Sequence, residues 1–303
     1  MNARLIDVTG RDGLQDEPVF VATADKVAIA RALIEAGVTS IETTSFVHPK
    51  WVPQLADAEA LVVALPHGPR YSALIMNARG LDRAVAAFRA AGFADGSWDA
   101  VFVTSASERH ALANNNRTVD DTLAIFDEIA LAARTAYAGV TMRAALACSF
   151  VSPWSDEAIE SGRVVEIARR LVSGGIRELT LADTVGAADP RTVGERVARV
   201  ANELPNVPLS LHVHDTAGYG LANVYAASTA GVATFEGALA GLGGCPFAPG
   251  ATGNLDLVKM ARFLTRCGAT LDVDIDALER AAHVVREAVG RGTPLSAPLA
   301  HAH

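Results

Sequence analysis

The chain has 303 residues, half of them hydrophobic and 6% aromatic, which suffices for one large α/β domain or two small ones and excludes a disordered polymer. A formal charge of -8 argues against a nucleic-acid surface, where a basic stripe is expected, although a local pocket for an anionic ligand stays open through backbone amides, helix ends or a few placed Arg and Lys residues. Three cysteines, Cys148, Cys245 and Cys267, form no disulfide framework in a chain too large to need one, so free thiols in a reducing, cytoplasmic compartment are expected.

Met1 to Arg4 leads directly into a short strand without a signal-peptide core, and no apolar run reaches the roughly 20 residues of a membrane span, so no membrane partner is expected. Short β-rich runs then alternate with longer helical segments. The expected strands are Leu5 to Val8, Ser40 to Thr43, Tyr71 to Ile75, Ala100 to Val103, Thr141 to Leu146, Glu178 to Ala182, Leu209 to His214 and Thr234 to Ala238. Between the first two, Thr23 to Gly37 reads as a cover helix with Val27, Ala30, Leu33 and Ile34 on one face, Thr23 as N-cap and Gly37 as its stop. A helix end, a glycine turn and a new strand recur around Gly37, Gly175 and Gly231. Asp276 to Gly290 reads as a final helix packed on the sheet, and the Pro- and Ala-rich Thr293 to His303 as a frayed tail.

Eight such units predict a (β/α)8 TIM barrel with an additional C-terminal helix: one catalytic domain over 1–303, with the barrel at 4–272, the helical extension at 276–290 and a tail at 291–303. A doubly wound open sheet gives similar local patterns. Neither a Gly-x-Gly-x-x-Gly after the first strand nor a phosphate loop is present, which weakens that alternative.

In such a barrel, chemistry collects at the carboxyl ends of the strands. His212 and His214 lie i, i+2 on the seventh predicted strand, so their imidazoles leave one face toward one point, which is the geometry of a metal site. Asp12, in Arg11-Asp12-Gly13 after the first strand, is the expected third ligand, and the amide oxygen of Asn254 can complete the shell. Glu42 lies in strand two, Asp183 follows strand six, and Cys245 sits in the glycine-rich Gly241 to Phe247. Each of these residues also has a structural reading taken singly: a turn for Asp12, a salt bridge for Arg11 and Glu42, a buried small residue for Cys245, and caps for Asp183 and Asn254. Asp215 either orients a ligand histidine or caps a turn. Cys148 and Cys267 read as packing residues.

Several segments together resemble the 3-hydroxy-3-methylglutaryl-CoA lyase family, within the metal-dependent barrel lyases and Claisen-type synthases. They are Arg11-Asp12-Gly13-Leu14-Gln15, Ile41 to Val47, Pro49 to Gln54, His212 to Thr216, Gly241 to Phe247 and Gly253-Asn254, and the similarity runs from Leu5 to Leu271. The Arg-Asp-Gly and His-x-His elements are common to the wider group. Glu42-Thr43-Thr44-Ser45-Phe46-Val47 and Gly241-Leu242-Gly243-Gly244-Cys245-Pro246 are narrower and point to the lyase branch. The resemblance implies that Asp12, His212, His214 and Asn254 hold a divalent cation, Mg2+ or Mn2+, that Arg11 and Cys245 are the catalytic pair, and that Glu42 and Asp183 support and polarise the site. It further implies an acyl-CoA thioester substrate and a homo-oligomer, a dimer in the parent case.

The chain departs from that pattern at Ala145, where the family carries an aromatic residue, and after Cys148, where Ser149 to Trp154 replaces a Gly-Cys-Pro-aromatic loop. Thr180 stands for a serine and Ala182 for a glycine. The implied substrate is therefore 3-hydroxy-3-methylglutaryl-CoA or another branched 3-hydroxyacyl-CoA. A condensing synthase, and a noncatalytic metal- or acyl-CoA-binding barrel, are the alternatives; the latter has no need of Arg11 and Cys245.

Overall fold

The stretch Trp98–Ser105 illustrates how the sheet is built. Trp98 stacks on Phe88 and Phe102 packs on Phe126, both rings on covering helices, while the alternate residues Asp99, Val101, Val103 and Ser105 face the other way. Repeated around the chain, this period-two pattern gives strands covered by helices outside and by each other's side chains inside. The computed structural model describes residues 1–244 and 253–295.

Eight strands, β1 (Arg4–Asp7), β2 (Ser40–Ser45), β3 (Arg70–Leu74), β4 (Trp98–Ser105), β5 (Thr141–Ala147), β6 (Glu178–Asp183), β7 (Leu209–Val213) and β8 (Thr234–Gly237), pair in parallel in chain order, and β8 closes on β1. The helices around them are α1 (Thr23–Glu35), α2 (Ala58–Ala64), α3 (Ala78–Ala90), α4 (Glu108–Asn115), α5 (Val119–Thr135), α6 (Ser161–Ser173), α7 (Pro190–Glu203), α8 (Gly220–Thr229) and α9 (Leu257–Arg266). A final helix, α10 (Ile275–Gly290), adds to the barrel. The expected (β/α)8 barrel with its C-terminal helix is thus the observed fold.

Helix starts follow from side chains that satisfy free amides. Asn77, Ser107, Thr118, Asp189, Asp256 and Asp274 each accept a backbone N–H at the first turn of their helix. Thr118 and Asp121 form a reciprocal capping box on α5. Gly37 ends α1 at φ +85°, and a Cβ there would lie 2.6 Å from the Asp272 carbonyl oxygen, so the turn needs glycine twice over. The same turn receives α10, whose N-cap Asp274 donates its N–H to the Ala36 carbonyl at 2.9 Å.

Three expectations need correction. Residues Thr9–Gly13 form a single wide helical turn rather than a plain glycine turn, because Gly13 N–H reaches back to the Val8 carbonyl. Thr293–Pro294, expected to fray, pairs antiparallel with Val19–Phe20, and the Leu295 N–H donates to the Pro18 carbonyl at 3.0 Å. Cys267 is exposed after α9 rather than packed, whereas Cys148 is buried. Among the described residues, no helix is long and apolar enough to cross a membrane.

Candidate metal centre and active site

Ligand atoms of Asp12, His212 and His214 all lie within 4.8 Å of one another at the carboxyl end of the barrel. The Asp12 Oδ2 is 3.8 Å from His212 Nε2 and 3.6 Å from His214 Nε2. Those gaps are too long for good hydrogen bonds, but donors sharing one cation at about 2.1 Å each stand roughly 3 to 4 Å apart. The i, i+2 spacing brings both rings to one side, with centroids 5.2 Å apart.

Asn254 joins this group from the far side of the glycine-rich segment. Its Nδ2 donates to Asp12 Oδ2 at 2.8 Å and to the Leu242 carbonyl at 2.9 Å, which leaves Oδ1 buried without a partner among the described residues. An unpaired buried carbonyl beside a carboxylate and two imidazoles is the donor set a divalent cation of the Mg2+ or Mn2+ kind satisfies. Glycines make this approach possible. A Cβ on Gly243, at φ +102°, would lie 2.5 Å from Asn254 Nδ2. Cys245 lies outside the described residues.

Arg11 is almost fully buried, donating Nε to Glu42 and Nη1 to Asp12. Two carboxylates on one guanidinium hold its plane fixed at the barrel mouth. Burial would raise the Asp12 carboxyl, but Arg11 beside it and the two imidazoles hold it well below the usual carboxylate range.

Asp183 reaches the end of β6 but does not join the ligand group. Its oxygens accept the N–H groups of Ala187 at 3.3 Å and Ala188 at 3.1 Å, so it fixes the turn into α7, and burial raises its pKa despite those bonds. Asp215 is a cap: its Oδ1 accepts the N–H of Gly220 at the start of α8.

Glu236, in β8, was not among the expected site residues. Its Oε2 sits 3.2 Å from His212 Nδ1, and its Oε1 accepts from Arg143 Nη2 at 2.7 Å and Thr180 Oγ1 at 2.9 Å. This carboxylate orients the imidazole so that Nε2 faces the cluster. Burial opposes its charge, yet His212 and Arg143 together draw its pKa down, and the same contact draws that of His212 up. The available signal was a pair of charged residues, Arg143 and Glu236, at inward positions of buried strands, where an unpaired charge is prohibitively costly.

Comparison with known proteins bears on this geometry. The HMGL-like family model matches residues 2–285. The chain belongs to the HMGL-like family. This HMGL-like protein is 36% identical over 96% of its length to the mitochondrial hydroxymethylglutaryl-CoA lyase of Bos taurus, covering 86% of that protein, and 37% identical over 95% to the hydroxymethylglutaryl-CoA lyase of Bacillus subtilis, covering 93%. Its fold matches the crystal structure of the HMG-CoA lyase from Brucella melitensis with a TM-score of 0.87 at 35% identity, over 94% of this chain and 98% of that one. An HMG-CoA lyase from Acinetobacter baumannii, solved with coenzyme A and 3-methylmalate, matches with a TM-score of 0.86 at 33% identity, over 100% and 97% of the two chains.

Proposed function

We propose that this protein cleaves 3-hydroxy-3-methylglutaryl-CoA to acetyl-CoA and acetoacetate with a divalent cation, Mg2+ or Mn2+, held by Asp12, His212, His214 and Asn254. The observation that carries the reading is the convergence of that donor set with the buried Arg11–Glu42 pair at one end of the barrel. Relatives named hydroxymethylglutaryl-CoA lyase, spanning nearly the whole chain, support the same reaction, and a related structure with coenzyme A supports an acyl-CoA substrate.

Cleavage between C2 and C3 requires loss of the C3 hydroxyl proton, breakage of the C–C bond, and temporary charge on the thioester oxygen. When bound, the cation supplies Lewis acidity to the substrate's oxygens. Arg11, locked by Glu42 and permanently charged, is suited to hold the thioester oxygen as it becomes an enolate. The thiol of Cys245 then delivers a proton to C2, completing acetyl-CoA. Asp12, Asp183 and a histidine are the candidates to accept the hydroxyl proton. Of these Asp12 is the weakest base, because Arg11 stabilises its ionised form. We further propose that the barrel and its C-terminal helix act as one catalytic domain in a reducing cytoplasm, which a chain of this size with three cysteines and no disulfide-framework spacing fits.

Two variants test the assignment. Cys245→Ala should abolish turnover while keeping bound Mn2+ at one equivalent, and His214→Ala should lose both. Full turnover in Cys245→Ala, or full metal content in His214→Ala, contradicts it.

A further inference from the structure

The interior of an eight-stranded barrel is normally filled by layers of bulky branched side chains. On one side of this barrel it is not. Val103 in β4 and Ala145 in β5 pair in register and remain partly exposed, although both belong to buried strands. Their outward neighbours Phe102, Ala144 and Leu146 are at most 1% exposed beneath the helices, so the accessible surface at 103 and 145 opens into the barrel. Ala147 and Ala182, also inward, keep 6% and 7% exposure, and Ala182 pairs in register with His212.

The exposed faces of these inward residues are methyl and isopropyl groups, which make this part of the inner wall an apolar recess. Of the polar side chains beside it, Thr180, in register with Ala145, is committed to Glu236 and Ser210, and Ser105, in register with Ala147, accepts the Ser107 N–H at 3.1 Å, so the exposed wall between them is mainly hydrocarbon. In the strand order β5 is four places from β1, and the recess therefore faces Arg11 and Asp12 across the mouth while its floor runs to the foot of the histidine pair.

We infer that this recess receives the hydrocarbon substituent at C3 of the substrate and that the substituent is longer than methyl. The inference rests on the proposed lyase reading and narrows its substrate class to 3-hydroxy-3-alkylglutaryl-CoA thioesters with an extended alkyl group. The chemistry is unchanged. The C3 hydroxyl loses its proton to a base, the C2–C3 pair of electrons moves to the thioester as an enolate, C2 is reprotonated to acetyl-CoA, and C3 becomes the ketone of a longer 3-oxoacid.

The test compares Mn2+-loaded protein on 3-hydroxy-3-methylglutaryl-CoA and on 3-hydroxy-3-propylglutaryl-CoA, following acetyl-CoA from both, with 3-oxohexanoate as the second product of the propyl substrate. Each methylene buried in an apolar site is worth roughly a fourfold preference, so the propyl thioester, with two more methylenes, is expected to have the higher kcat/KM by about 15-fold. Ala145→Leu should lower the propyl-to-methyl ratio of kcat/KM by roughly tenfold, and Ala145→Val, a smaller intrusion, should lower it less. A methyl substrate preferred by the wild type, or a ratio that neither folded variant moves, overturns the inference while leaving the lyase reading intact. Turnover of neither thioester overturns both.

Discussion

Glu236 shows how one side chain decides whether a histidine can serve a metal. A neutral imidazole has two nitrogens and two tautomers, and the carboxylate at Nδ1 selects the one that leaves Nε2 free. Glu236→Gln keeps the shape and loses the charge. It is expected to weaken Mn2+ binding roughly 10- to 100-fold by calorimetric titration, and an unchanged affinity would remove Glu236 from the account. A second buried carboxyl, Asp7, makes a pH prediction. It is fully buried, with Thr9 N–H at 3.1 Å and Thr9 Oγ1 at 2.6 Å, and burial outweighs these bonds and pushes its pKa up to about 7. Between the ordinary value near 3.8 and 7, the folded chain keeps a proton that the unfolded chain gives up, so this residue's contribution to stability falls as pH rises through that window. Asp7→Asn cannot ionise. Its urea midpoint should exceed that of the wild type at pH 8 by more than at pH 5, and an equal difference at both pH values would refute the linkage.

The elements that carry the site are strand ends and glycine turns, and their legibility in the sequence differed. Period-two runs gave the eight strands, and apolar periodicity with the Gly37 stop gave α1, with errors at the ends: the fourth strand starts at Trp98 rather than Ala100, Thr23 is the first residue of α1 and donates to Asp57 instead of capping it, and His214 lies just past β7, in a bridge to Asn254. The histidines were legible because a strand fixes which way its side chains leave, and Asp12 because it follows the first strand at the carboxyl end of the barrel. Asp183 was ambiguous because a carboxylate after a strand serves a turn as readily as a ligand site, and only coordinates reveal the Ala187 and Ala188 amides on its oxygens. The pairing of Thr293–Pro294 with Val19–Phe20 joins segments far apart in the chain, and no local pattern encodes it. Glycine at 243 is predicted to be indispensable to the site. Gly243→Ala should cost on the order of 1–3 kcal/mol from its positive φ and also weaken Mn2+ binding by displacing Asn254. Gly231→Ala has a similar φ of +100° and nothing within 4 Å, so it should cost stability alone. Equal metal affinity in both variants would contradict the role given to Gly243.

Across the whole barrel the charges divide by end. At the amino ends of the strands, Asp99 binds Arg70 and Arg177, and Glu178 binds Arg4 and Arg143, closing the floor with paired ions. At the carboxyl ends, Arg11, Asp12, Glu42 and the two histidines gather at the mouth, where His214 Nδ1 and Asn254 Oδ1 lack hydrogen-bond partners among the described residues. Stability at one end and chemistry at the other is the division expected of this fold. Between the two ends, Arg143 and Glu236 link floor to site, so the ion network that supports the barrel also aims His212. The central claim is that this mouth performs a metal-dependent carbon–carbon cleavage. The most direct measurement incubates purified, Mn2+-loaded protein with 3-hydroxy-3-methylglutaryl-CoA and follows acetyl-CoA and acetoacetate together, beside an EDTA-treated sample restored with Mn2+. The account predicts both products in equal amounts, their loss on chelation and their return with the metal; protein that holds the metal and forms neither product would contradict it.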